Sequence, residues 1–86
     1  MYKVKLSNKA IKELDIIDFQ MVKKLFDRIK NLGDDPKPVG SIKLKGENAY
    51  RIRIGNYRII YEVIEHSKQV LIYKVAHRKD VYKGKK

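Results

Sequence analysis

The sequence predicts an α+β fold, with an N-terminal strand, a two-helix hairpin, and then an antiparallel sheet of hairpin-connected strands. Three observations carry this. Apolar residues recur at helical spacing between Ala10 and Leu32. From Ile42 onward the apolar period changes to two. Two alternating runs then meet at Gly55-Asn56, a two-residue turn with glycine first. Helices grouped ahead of strands argue for helices packed on one face of the sheet.

Taken in order, Tyr2, Val4 and Leu6 form an alternating stripe, so residues 2–6 read as a strand. Ser7 can cap a helix whose apolar positions are Ala10, Ile11, Leu14 and Ile17. Asp18 can cap a second, with Val22, Leu25, Phe26, Ile29 and Leu32 as its core stripe. Gly33 is expected to end that helix, and Asp34 to Pro38 reads as a loop. Ile42 to Lys45 is a short strand closed by Gly46. Tyr50 to Ile54 and Tyr57 to Ile64 flank the turn, and Val70 to Ala76 is a further strand rich in β-branched residues. The tail from His77 to Lys86 reads as basic and irregular.

With 86 residues the chain reads as a single domain, 1–86. A domain of this size buries only roughly 60% of its unfolded surface. No apolar run approaches the ~20 residues of a membrane span, and Met1 to Leu6 alternates as no signal peptide does. The chain has no cysteine and its two histidines sit in different segments, so neither a disulfide framework nor a zinc site is predicted. No glycine-rich phosphate loop is present. These readings together predict a cytoplasmic protein without cofactor, metal or membrane partner.

Charge points to a partner. The chain carries 21 Lys and Arg against 10 Asp and Glu, a net +11. Residues 1–42 hold a net +3 and residues 43–86 a net +8. A lysine-rich solvated surface would account for the total, but its concentration in one half favours a polyanion, because clustered cations release counterions from phosphates.

The hairpin turn sets a register. If Gly55 and Asn56 are the turn, Ile54 faces Tyr57, Arg53 faces Arg58, Ile52 faces Ile59 and Tyr50 faces Tyr61. Alternation then gives a core face of Tyr50, Ile52, Ile54, Tyr57, Ile59 and Tyr61, and an opposite face bearing Arg51, Arg53 and Arg58. Two arginines directly opposite each other repel. Either solvent screens them, or Glu62 neutralises them along the strand, or they form an anion site, since guanidinium forks grip phosphate oxygens and stay charged. The tail adds His77-Arg78-Lys79-Asp80-Val81-Tyr82. Histidine transfers protons readily near neutrality, and tyrosine does so where neighbouring cations lower its pKa.

These residues carry a family resemblance. Lys43-Leu44-Lys45-Gly46, the run from Tyr50 to Val63, and Val75-Ala76-His77-Arg78-Lys79-Asp80-Val81-Tyr82 resemble the RelE/ParE toxins of type II toxin–antitoxin systems, over essentially the whole chain and closer to the RelE branch. The resemblance implies a metal-independent endoribonuclease, an mRNA interferase that cuts messenger RNA in the ribosomal A site and inhibits translation. Its partners would be mRNA, the ribosome and a cognate antitoxin. It implies that Arg58 grips the scissile phosphate, that Arg51 and Arg53 stabilise charge where RelE itself has two lysines, and that Arg78 serves leaving-group protonation or phosphate stabilisation. Tyr82 matches the C-terminal tyrosine proposed as general base, and His77, where RelE itself has a lysine, is the other candidate for acid or base work. Lys43, Lys45 and Lys79 would help Arg51 and Arg53 hold RNA. The nearest rival is a ParE-like inhibitor of DNA gyrase. A non-catalytic RNA-binding module is the third reading.

Overall fold

The computed structural model of the chain describes residues 1–45 and 48–77. The element order is β1 (Lys3–Leu6), α1 (Asn8–Asp15), α2 (Phe19–Asp34), β2 (Ile42–Lys43), β3 (Ala49–Ile54), β4 (Tyr57–Ile64) and β5 (Gln69–His77). The five strands form one sheet in the order β1-β5-β4-β3-β2. β1 runs parallel to β5 and the other pairs are antiparallel. This is the expected α+β architecture, with β2 reduced to two residues. Among the described residues no helix is long and apolar enough to cross a membrane.

Both helix starts follow from their caps. The Ser7 hydroxyl accepts from the Ala10 N–H at 3.1 Å, and the Asp18 carboxylate accepts from the Met21 N–H at 3.2 Å. Each satisfies a donor that the first turn leaves without a partner. The end of α2 differs from expectation. The helix continues through Gly33 to Asp34 and stops ahead of Pro36. Gly33 instead permits a close approach: its carbonyl accepts from the Tyr2 N–H at 2.8 Å, and a Cβ there would stand 3.0 Å from the Tyr2 carbonyl oxygen. The absent side chain lets β1 enter the sheet beside the last turn of α2.

The core lies between the helices and one sheet face. Ala10 and Leu14 of α1 and Leu25, Ile29 and Leu32 of α2 meet Tyr50, Ile52, Ile54, Ile59, Tyr61, Val63, Val70, Ile72 and Val75. The helical stripes are narrower than expected, for Ile11 stays 46% exposed and Phe26 42%. Ile17 lies beyond the end of α1, packed against the core.

Tyr61 is wholly buried, and its hydroxyl donates to the Pro36 carbonyl at 2.7 Å, pinning the α2–β2 loop to the sheet. Burial pushes its phenol from 10.0 up to about 12. Below about pH 10 both folded and unfolded chains keep this proton; above it the unfolded chain alone releases it, so this share of stability is lost as pH rises towards about 12. Tyr61→Phe should cost ~1 kcal/mol at neutral pH, for one hydrogen bond, and should shrink the alkaline loss. Urea unfolding at neutral pH and at about pH 11 measures both effects. An equal alkaline loss in parent and variant would clear Tyr61 of this role.

Candidate functional site

The hairpin register is the one its turn requires. Gly55 has φ +59°, and among the described non-glycine residues only Lys68 has a positive φ. Positive φ at the first turn residue and not the second is the glycine-first two-residue turn. The pairs Arg53↔Arg58, Ile52↔Ile59 and Tyr50↔Tyr61 follow. Arg51, Arg53 and Arg58 therefore share the sheet face away from the helices.

Rows of register partners extend this face across the sheet. Arg51 aligns with Ile60, and Ile60 with Lys74. Arg58 aligns with Arg53 on one side and Ala76 on the other. Glu62 aligns with Ala49 and Leu71, and Leu71 with Lys5 of β1. Four cations from three strands thus converge at one end of the open face. Arg53, Gly55, Asn56 and Arg58 line a notch of about 40 Å³, and Gly40, Ile42, Arg51 and Arg53 line a wider depression of about 280 Å³. Among the described residues no carboxylate lies within ion-pair distance of these arginines; the one ion pair is Lys37 with Glu65. Glu62, the acid that one of the alternative readings had neutralise them, accepts a hydrogen bond from the Tyr73 hydroxyl.

Like charges directly opposite each other destabilise a sheet. An anion bridging the two guanidinium groups would reverse the sign of that term. Chemically the arrangement can bind phosphate oxygens from several directions and stabilise added negative charge on phosphorus.

The structure moves other expected residues away. A bulge in the β4–β5 ladder pairs Ile60 with Lys74 but Tyr61 with Ile72, leaving Tyr73 as the extra residue. Beyond it the alternation of β5 is reversed. Ala76, not His77, shares the face of Arg58, and His77 pairs with Tyr57 on the helix side, the rings edge to face at 5.0 Å. His77 lines a cavity of about 340 Å³ with Glu13, Ile16, Ile17 and Tyr57 among its walls. Unbroken alternation from Val70 would have put His77 beside the arginines. Lys43 pairs with Tyr50 and so falls on the helix side of the sheet margin, while Ile42 accompanies Arg51. Lys45 is exposed after β2. Arg78, Lys79 and Tyr82 lie outside the described residues.

Lys74 and Tyr73 are open-face residues that the sequence reading missed. The signal was present as a phase slip: Tyr73-Lys74, both polar-capable, is followed by Val75-Ala76, both apolar. That double step is what an inserted residue does to a period of two.

Comparison with known proteins adds a lineage. Residues 4–82 match a family model described as the ParE toxin of the type II toxin–antitoxin system parDE. A protein named RelE1 from Methanocaldococcus jannaschii is 29% identical over 87 residues, covering 96% of this chain and 97% of that one. The RelE–RelB complex from Pyrococcus horikoshii contains a chain that superposes with a TM-score of 0.82 at 30% identity, covering 90% of this chain and 94% of that one. The isolated RelE toxin of Escherichia coli superposes at 0.79 with 23% identity over 99% of this chain and 95% of that one, a likeness of fold.

Proposed function

This chain belongs to the ParE toxin family of type II toxin–antitoxin systems and is RelE-like within it, and on that premise we propose that it is an endoribonuclease that cuts messenger RNA in the ribosomal A site. The observation that supports this most is the convergence of Arg51, Arg53 and Arg58 on the open sheet face, with no described carboxylate paired to them.

In the proposed reaction the 2′-oxygen of a ribose attacks the adjacent phosphorus. The bond from phosphorus to the 5′-oxygen then breaks, leaving a cyclic phosphate and a 5′-hydroxyl. The 2′-hydroxyl proton passes to a base, and the departing 5′-oxygen, its charge stabilised by a guanidinium, takes up a proton from water. Arg58 grips the scissile phosphate from the centre of the cation cluster. Arg53 and Arg51 stand beside it and favour the phosphorane, whose charge exceeds that of the ground state. None of the three acts as a base, because guanidinium stays protonated. Tyr82 is the base in this proposal and Arg78 serves the leaving group. Orientation supplies much of the rate, and the ribosome helps provide it. A substrate lacking the 2′-hydroxyl binds without being cut.

RelE of the Pyrococcus complex is bound to RelB. A cognate antitoxin with an acidic segment would neutralise the same cations here, which is the partner we propose. The test of the proposed function is cell-free translation with the purified chain, followed by primer extension on the message. The expected result is a set of discrete cuts within codons, appearing only when ribosomes are engaged, and diminishing steeply as salt rises. One other reading has an observation behind it: the matching family model bears the ParE name. An intact message together with inhibition of DNA gyrase supercoiling would replace the nuclease with that reading.

A further inference from the structure

The bulge at Tyr73 is held in place from outside the sheet. The Ser7 hydroxyl donates to the Tyr73 carbonyl at 2.9 Å. The Glu13 carboxylate accepts from the Val75 N–H at 2.7 Å. Ser7 caps α1 and Glu13 lies within it, so this helix holds the carbonyl of the extra residue and the N–H two residues beyond it. Bulges re-aim side chains and are placed where that is useful. This one brings Lys74 to the open face beside Tyr73, a residue 41% exposed. The Tyr73 hydroxyl donates to the Glu62 carboxylate, which ties the ring to β4.

We infer that Tyr73, held by Glu62, is a stacking position for a nucleobase beside the phosphate bound at Arg58. The inference rests on the RNA reading above and adds to it the part of the substrate that this end of the face receives.

Three features support the assignment. Glu62 lies four residues from Arg58 along β4, roughly 13 Å at strand rise, within reach of a neighbouring nucleotide. Between them stand Ile60 and its partner Lys74, an apolar floor beside a cation. The second feature is the charge at the far end. Among the described residues that register places on this face, Glu62 is the one carboxylate. A carboxylate repels a phosphate, so a strand following the cations from Arg53 past Lys74 presents a base, not its backbone, at Glu62. The third is rigidity. An exposed tyrosine whose hydroxyl and backbone are both fixed loses little freedom when a ring settles on it. Stacking on an aromatic face accepts every base, so the site contributes affinity and register more than sequence choice.

The test uses the purified chain and a short single-stranded RNA carrying one 2-aminopurine, whose fluorescence falls when it stacks. The parent should bind with quenching. Tyr73→Ala should bind roughly 5- to 150-fold more weakly and without quenching, the range for losing one base–aromatic stack. Tyr73→Phe should keep the quenching, since it keeps the ring. An abasic site in place of the 2-aminopurine should weaken the parent and leave Tyr73→Ala unaffected. Equal affinity and equal quenching in parent and Tyr73→Ala would overturn the stacking role while Arg58→Ala still weakens binding and upholds the RNA reading. Loss of antitoxin binding alone in Tyr73→Ala would overturn it too, by assigning the ring to the protein interface. Absence of RNA binding by the parent, unaltered in Arg58→Ala, would remove the inference and the reading beneath it together.

Discussion

Arg58→Ala is expected to lower cleavage by roughly 10²–10³-fold, the usual cost of removing one preorganised donor from a transition state that gains charge. Arg58 sits at the middle of the cation cluster, in register with Arg53 and flanked on β5 by Ala76. Its removal therefore leaves a gap that the neighbouring cations do not fill. The fold should survive. Arg58 is half-exposed and lies on the face away from the core, and its loss relieves the repulsion with Arg53. Losses from the lower strand propensity of alanine stay within ~1 kcal/mol. Single-turnover cleavage on programmed ribosomes measures the first effect, and a thermal melt the second. Arg58→Lys keeps a charge but not the planar fork, so it should recover only part of the rate. Toxicity equal to the parent at equal expression in Arg58→Ala would remove this residue from the site.

Tyr82→Phe should have an effect of similar size, roughly 10²–10⁴-fold, the range for losing general acid–base help. The substitution removes one hydroxyl and keeps the ring. His77→Gln should change single-turnover cleavage only a few-fold. The bulge turns His77 to the helix side, edge to face with Tyr57, while Arg58 shares the opposite face with Ala76. A proton acceptor for the 2′-hydroxyl has to stand within hydrogen-bond reach of it, either directly or through one water. Tyr82, five residues beyond His77, is the remaining candidate among those that the resemblance assigns to proton transfer. Cations around a phenol lower its pKa, which suits it to the work. The opposite ordering, with His77→Gln the slower enzyme and the parent rate rising through an apparent pKa near neutrality, would return the role to His77.

Much of the site was legible because it is local. The hairpin from Tyr50 to Tyr61 carries its own register: a glycine-first turn leaves one pairing that buries Ile52, Ile54, Ile59 and Tyr61 together. Once that pairing is set, three arginines on the other face follow without knowledge of the rest of the chain. The helix caps at Ser7 and Asp18 were legible for the same reason, since each bonds a backbone N–H three residues on. Gly33 was read as a stop signal because a glycine near a helix end has that use. Its actual use depends on Tyr2, which is remote in sequence.

The sequence by itself determined the α+β order of elements, the helix starts, the hairpin register and the arginine face, because each rests on contacts between residues close in the chain. Only the tertiary structure decided where β5 changes phase. That bulge is clamped by Ser7 and Glu13, 66 and 62 residues from their partners Tyr73 and Val75. A period of two carries no information about an insertion until something outside the strand stabilises it. One inserted residue then turns His77 away from the arginines and brings Lys74 to their side, next to Tyr73, because side chains on a strand alternate and a single step exchanges the faces beyond it.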